Sequence, residues 1–177
     1  KNKEKINTEE TKPRLKNAYG ISKIGQENIL KNFCKRKNMK CIILRLSSIL
    51  SKNCSVNFYC NALKNIKKNL NVKIIGHEKK TNSIFFVDDL ANLTQLLIKK
   101  KQIKKINIYN VASTMPIKII DIIKLIHKKF NKPFKIKVIN KIEKNYIVSN
   151  KKLKDLKFKI PTTLQTINKF ITINRKK

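Results

Sequence analysis

Lys40-Cys41-Ile42-Ile43-Leu44-Arg45-Leu46 is, after its opening lysine, an apolar run of strand length interrupted only by Arg45 near its end. It does not alternate polar with apolar, so both faces are expected to be covered, as in a parallel strand flanked by helices. Just before it, residues 19–35 carry Ile21, Ile24, Ile29, Leu30 and Phe33 at helical spacing, available for packing. After a loop over residues 47–53 comes a helix over 55–70 with Val56, Tyr59, Leu63 and Ile66. A short strand follows at Val72 to Ile75, closed by Gly76, then a polar stretch from His77 to Asn82 and a strand from Ser83 to Val87. Asp88 reads as the N-cap of a helix over 89–100, since its carboxylate can accept free backbone N–H groups there. Beyond lie a strand at Ile106 to Ala112 and a helix opened by Pro116 with Ile119, Ile120, Ile123, Leu125 and Ile126 on its apolar face. A strand at Lys135 to Ile139 and helices at Leu153 to Leu156 and Leu164 to Ile171 complete the chain. Strands alternating with helices predict an α/β domain with a largely parallel sheet, with no internal repeat and no long linker.

The 177 residues suffice to bury a core, and hydrophobic content of 41% speaks against disorder. The formal charge is +33, with 43 Lys and Arg against 10 Asp and Glu. That surplus is almost all lysine and runs from end to end, together with abundant Asn and Ile. It reads as solvated surface rather than a nucleic-acid interface, which would concentrate arginine and aromatics in a patch. Cys34, Cys41, Cys54 and Cys60 form no C-x-x-C pair and have no histidine at zinc spacing, so they read as small buried thiols in a reducing, cytoplasmic setting. His77 and His127 stand apart, and no metal site is expected. No apolar run reaches membrane-spanning length. The chain opens at Lys1 inside a charged segment and reads as a fragment.

The predicted helix before the central strand begins with Tyr19-Gly20-Ile21-Ser22-Lys23. Positions i and i+4 share a helix face, and an ammonium beside a phenol favours phenolate, which suits the phenol to proton transfer.

Further stretches accompany that pair in a fixed order. They are Thr8-Glu9-Glu10 with Pro13, Glu27, Ile43-Leu44-Arg45-Leu46-Ser47-Ser48, Gly76 to Asp89, Tyr109-Asn110-Val111-Ala112-Ser113, and Tyr146 to Pro161 with Leu156-Lys157-Phe158. Together they resemble the C-terminal portion of the NAD-dependent epimerase/dehydratase family of extended short-chain dehydrogenases/reductases, over nearly the whole chain. The resemblance implies a partial Rossmann-type parallel sheet with a smaller C-terminal α/β substrate lobe. Residues 1–52 and 83–113 would belong to the former, 53–82 and 114–177 to the latter. It implies NAD or NADP as cofactor, a nucleotide sugar as substrate, and reversible hydride transfer with Tyr19 as acid/base. Lys23 would bond the nicotinamide ribose, while Leu46 and Ser47 would line the nicotinamide through their backbone. Ser48 stands at a substrate-contacting asparagine position. Ile75 replaces an aromatic that stacks on the base, Asn82 replaces an arginine that meets the diphosphate, and Lys79 or Lys80 could supply the missing charge. Arg45 and Asn110 read as structural.

Gly20, Gly25 and Gly76, the only glycines, cannot form the family's G-x-x-G-x-x-G turn, and the serine or threonine that precedes the catalytic tyrosine would lie before Lys1. Ser51 and Ala112 also stand where the family places glycine. The fragment alone is therefore expected to be inactive. The other readings are a non-catalytic remnant or one half of a split enzyme, and, further off, a basic nucleic-acid-binding protein. A homodimer is expected by resemblance alone.

Overall fold

The structure, a computed structural model, describes residues 6–12, 17–100, 105–139 and 144–175. Pro13 of the lead-in lies outside the described residues. The fold is α/β, as expected. In chain order the elements are β1 (Ile6–Asn7), α1 (Ala18–Arg36), β2 (Cys41–Leu46), β3 (Ser48–Leu50), α2 (Phe58–Lys67), β4 (Val72–Ile75), β5 (Lys80–Thr81), β6 (Ile84–Phe86), α3 (Val87–Lys99), β7 (Ile106–Val111), β8 (Ile117–Lys118), α4 (Ile119–Lys129), β9 (Ile136–Ile139), β10 (Ile147–Val148), α5 (Lys151–Asp155) and α6 (Thr163–Arg175).

The pairs β1–β10, β2–β7, β3–β6 and β4–β9 are parallel, and β5–β8 is antiparallel. The KCIILRL run forms β2, in register with β7 from Cys41 opposite Ile106 to Leu46 opposite Val111. Among the described residues β2 has no second strand partner.

Two apolar clusters hold the molecule together. One gathers Leu50, Tyr59, Leu63, Ile66, Ile74, Ile123, Ile126 and Phe170 from β3, α2, β4, α4 and α6. The other gathers Leu93, Leu97, Tyr109, Val111 and Leu153 from α3, β7 and α5. The strand β6 serves both, because successive side chains point to opposite faces. Ile84 and Phe86 enter the first cluster and Phe85 the second, and all three are buried.

Several local expectations are corrected. Asp88 is not the N-cap of α3. Phe86 holds that position without a side-chain cap bond, Val87 is already helical, and Asp88 and Asp89 lie in the first turn, where their charge complements the helix dipole. Pro116 does not open α4, because residues 117–118 first pair with β5 as β8. Ile21, Ile29, Leu30 and Phe33 of α1 are exposed, and Cys34 is that helix's one buried residue. The cysteines are not all thiols. Cys54 and Cys60 are joined in a disulfide with Cα atoms 5.6 Å apart, because the loop after β3 folds back onto the first turn of α2. Cys34 and Cys41 are buried free thiols.

Helix ends explain how so few glycines suffice. Asn38, Asn69 and Asn131 follow the C-caps of α1, α2 and α4, all at positive φ between 50° and 57°. Each closes its helix with the double backbone hydrogen bond of a Schellman turn, such as Asn38 N–H to Lys35 O and Met39 N–H to Cys34 O. Asparagine tolerates this left-handed conformation better than other non-glycine residues. After α5 the same position is Lys157, at φ 59°. Lys157→Gly is expected to stabilise the chain by about 0.5–1 kcal/mol, the left-handed strain removed outweighing the chain entropy added. A urea midpoint that falls would contradict it.

No helix among the described residues is long and apolar enough to cross a membrane, and no group of metal-ligating side chains occurs among them.

Candidate active site at the carboxyl end of β2

Asn17 caps α1, its side-chain oxygen accepting from Gly20 N–H at 2.8 Å. Tyr19 therefore stands in the first turn and Lys23 one turn on. The Lys23 Nζ lies 5.7 Å from the centroid of the Tyr19 ring and donates to Gln26 Oε1 at 3.2 Å. Both side chains are solvent-facing, Tyr19 at 71% exposure.

What places this pair is an ion pair one turn further along α1. Glu27 receives both Arg45 Nε, at 3.0 Å, and Arg45 Nη2, at 2.8 Å, in a forked contact from helix to strand. The chain runs through α1 and returns through β2, so the Glu27–Arg45 tie fixes the turn of α1 after Lys23 against the carboxyl-terminal end of β2. Arg45 also donates to Glu9 O at 2.7 Å, and the Glu9 carboxylate accepts the Asn110 N–H at 2.9 Å. Asn110 is Arg45's register partner on β7, and its side chain donates to Asn7 O at 3.3 Å. The acidic lead-in is thus laced across the carboxyl ends of β2 and β7, the edge where open parallel sheets place ligands.

Arg45 and Lys31 hold the Glu27 carboxyl below its ordinary value near 4.5, the Arg45 hydrogen bond being the largest cause. A depressed carboxylate stabilises the fold above the unfolded value and loses that contribution as pH falls through the folded one. Glu27→Gln is accordingly expected to cost about 2 kcal/mol at neutral pH, with the gap from wild type closing in urea unfolding below pH ~4.5. A gap constant down to pH ~3 would refute the assignment.

Leu46 ends β2 half-exposed, at 51%. The Ser47 N–H donates to Val111 O at 3.1 Å, while its Oγ is buried without a hydrogen-bond partner. Ser48 opens β3, its N–H donating to Ser83 O at 3.2 Å. An exposed phenol–ammonium pair, a half-exposed strand end and an unsatisfied hydroxyl beside it fit the nicotinamide–ribose end of a dinucleotide. Nothing among the chain's three glycines fits its pyrophosphate.

The remaining expected residues lie on the loops around β5. Ile75 ends β4 partly exposed, and Lys79 sets its Nζ 5.9 Å from the Tyr146 ring. Lys80 is exposed, with its N–H bonded to Asn145 Oδ1 at 2.8 Å. Asn82 is used differently from the arginine it replaces. At 3% exposure, it donates to Ser113 O at 2.7 Å and Val148 O at 2.8 Å and accepts from Val148 N–H at 2.9 Å. This leaves its side chain no free donor for a phosphate. Ser113 Oγ donates to Ile84 O at 2.7 Å, and Asn150 donates to Ser113 O at 2.7 Å. Sequence reasoning missed this clamp. Its one visible signal was Ser113, closing the Tyr109-Asn110-Val111-Ala112-Ser113 motif. A cavity of about 800 Å³ between α3 and α6, bordered by Asp89, Pro161 and Lys169, contains none of the expected site residues.

Residues 1–112 match the sequence pattern that defines the NAD dependent epimerase/dehydratase family. The chain belongs to that family. Solved structures of similar fold include a UDP-glucuronic acid 4-epimerase from Bacillus cereus in complex with NAD, at a TM-score of 0.80 and 18% identity over 94% of this chain and 56% of that one. A dTDP-glucose 4,6-dehydratase from Bacillus anthracis in complex with NAD has a TM-score of 0.77 and 16% identity, over 97% of this chain and 56% of that one. The RMD protein of Pseudomonas aeruginosa, complexed with NADPH, has a TM-score of 0.76 and 17% identity, over 95% and 59%. The chain therefore spans a little over half the length of these proteins. No curated protein matches it significantly.

Proposed function

We propose that this chain is the acid/base and substrate-recognising part of an NAD(P)-dependent epimerase, dehydratase or reductase acting on a nucleotide sugar. The observation that carries the reading is the exposed Tyr19–Lys23 pair, set at the carboxyl end of β2 by the Glu27–Arg45 fork. NAD or NADP, when bound, supplies the hydride acceptor and donor. Tyr19 takes the proton of the sugar hydroxyl as hydride leaves its carbon and returns it in the reverse step. Lys23 donates to the ribose hydroxyls and keeps its charge against the Tyr19 ring. Leu46 and Ser47 line the nicotinamide, and Ser48 contacts the sugar. Lys79 and Lys80 meet the diphosphate as point charges without a guanidinium's fork, and Ile75 offers the base an apolar surface. Asn82 supports these loops from beneath through its backbone clamp. In this reading residues 1–52 and 83–113 complete a nucleotide-binding sheet, and 53–82 and 114–177 form the substrate lobe.

The exposed apolar residues of α1 and the single strand partner of β2 favour a chain that works against a second α/β unit bearing the glycine-rich turn. That unit would belong to the same polypeptide or, in the split-enzyme reading, to another. A second copy of the chain would give the homodimer instead.

The test uses half-ligands suited to what this chain holds. In amide NMR spectra of the labelled chain, nicotinamide mononucleotide is expected to perturb Lys23, Leu46 and Ser47, and uridine diphosphate to perturb Lys79 and Lys80. Lys23→Met should abolish the first set only. Perturbations absent from both regions, or unaffected by Lys23→Met, would overturn the proposal.

A further inference from the structure

We propose that Cys54–Cys60 is a redox-active latch on the loop between β3 and α2, opened by a dithiol reductant attacking Cys54. Three features set it apart from a purely structural bond.

The first is where each sulfur sits. Cys60 is 2% exposed and is the third residue of α2, in a first turn without acidic side chains and capped by Asn57. Cys54 is only partly buried, in a loop whose residues 52, 53, 55 and 56 are exposed, Val56 at 93%. An incoming thiolate therefore reaches Cys54 first. The second is the leaving group. Attack at Cys54 releases Cys60 as thiolate in the N-terminal turn of a helix, where the dipole offsets part of the cost of charging a buried sulfur. The third is how few hydrogen bonds hold the loop beyond the packing of Cys54 against the first core. From α6, Asn174 reaches Asn53 N–H at 3.3 Å and Ser51 O at 3.4 Å, both long contacts. Its stronger bonds lie at the far end, where Asn57 donates to Ile49 O at 2.9 Å and accepts from Cys60 N–H at 3.0 Å.

The exchange balances. The first thiolate of the reductant bonds to Cys54 Sγ as the Cys54–Cys60 bond breaks. The second then displaces Cys54. Two electrons and two protons pass to the cysteine pair, and the reductant leaves as its own disulfide. Reduced, Cys60 stays in the core as a small apolar side chain, while residues 51–57 lose their covalent tie. The latch thereby governs the segment that leaves β3.

The experiment uses the chain of 177 residues in dithiothreitol buffers of increasing reducing strength. Alkylation and peptide mass report each cysteine, hydrogen exchange reports residues 51–57, and far-ultraviolet circular dichroism reports the fold. The Cys54–Cys60 pair is expected to open while the dichroism holds, with exchange in 51–57 rising about tenfold or more as local opening becomes easier. Oxidised glutathione should form a mixed disulfide on Cys54 in Cys60→Ser but not on Cys60 in Cys54→Ser. The proposal falls if the pair is not bonded after mild oxidation or resists reduction until the fold is lost. It also falls if exchange in 51–57 is unchanged once the bond is open, or if glutathione selects Cys60. Should either serine variant fail to fold, the wild-type titration decides alone.

Discussion

Tyr19→Phe, made in an enzyme that contains this chain, is expected to lower kcat by about 10²–10⁴-fold, the usual worth of a positioned general acid or base. The reason is local. The substitution removes one hydroxyl and nothing else, and that hydroxyl is the group assigned to move the sugar proton. Its exposure means that no packing depends on it, and the cap at Asn17 and the Glu27–Arg45 fork that orient α1 are backbone or remote contacts. The unfolding free energy from urea titration should therefore stay within about 0.5 kcal/mol of wild type, as for other surface changes. Lys23→Met should separate from it kinetically. Because Lys23 is assigned to ribose as well as to Tyr19, its loss should raise the cofactor KM as well as lower kcat. Turnover within about threefold of wild type in Tyr19→Phe, with the fold intact, would remove Tyr19 from the mechanism.

The largest loss of stability is expected from Asn82→Ala. The side chain is buried and satisfies three backbone groups, the carbonyls of Ser113 and Val148 and the N–H of Val148. Ser113 O keeps its bond from Asn150, but both Val148 groups lose a partner. Each buried group left unsatisfied costs about 1–3 kcal/mol, so about 3–4 kcal/mol is expected in all. Set against a typical domain stability of about 5–15 kcal/mol, that is a large share. Asn82→Asp sharpens the test. A carboxylate can still accept from Val148 N–H but cannot donate to either carbonyl, and it buries a charge. It should be at least as damaging as alanine at neutral pH. Urea unfolding checks both, and a loss below about 1 kcal/mol for alanine would show that the clamp is not structural.

How legible the protein was depends on the range over which each feature is determined. The α/β class could be read from β2, because an apolar run without alternation is the pattern of a parallel strand, although only Cys41 of β2 is fully buried. The long elements α1, α3, α4 and β7 could be read for the same reason, their periodicity being local. The strands β1, β3, β5, β8 and β10 could not. Each is two or three residues long and exists through a distant partner, as Ile6 does opposite Ile147. Asp88 misled because two acids follow a strand where an N-cap is common, and the helix simply starts two residues earlier. Asn82 misled in another way. Position in a motif pointed to the ligand, whereas the local chemistry, a short amide beside unpaired backbone groups, sends it inward. At the candidate site, the Tyr19–Lys23 spacing was visible, but what aims it was not. The Glu27–Arg45 fork joins residues 18 positions apart on different elements. The cysteine spacing gave no sign of a bond, since the closure at Cys54 depends on the path of an irregular loop.

The strand β6 has a consequence for how the molecule comes apart. With Ile84 and Phe86 serving one core and Phe85 the other, three consecutive residues form a party wall between two rooms. Neither room can be emptied without breaching it. The two cores should therefore melt in one transition, with fluorescence of Tyr59 in the first and of Tyr109 in the second falling together in single-tyrosine variants. Truncating Phe85 alone should loosen both.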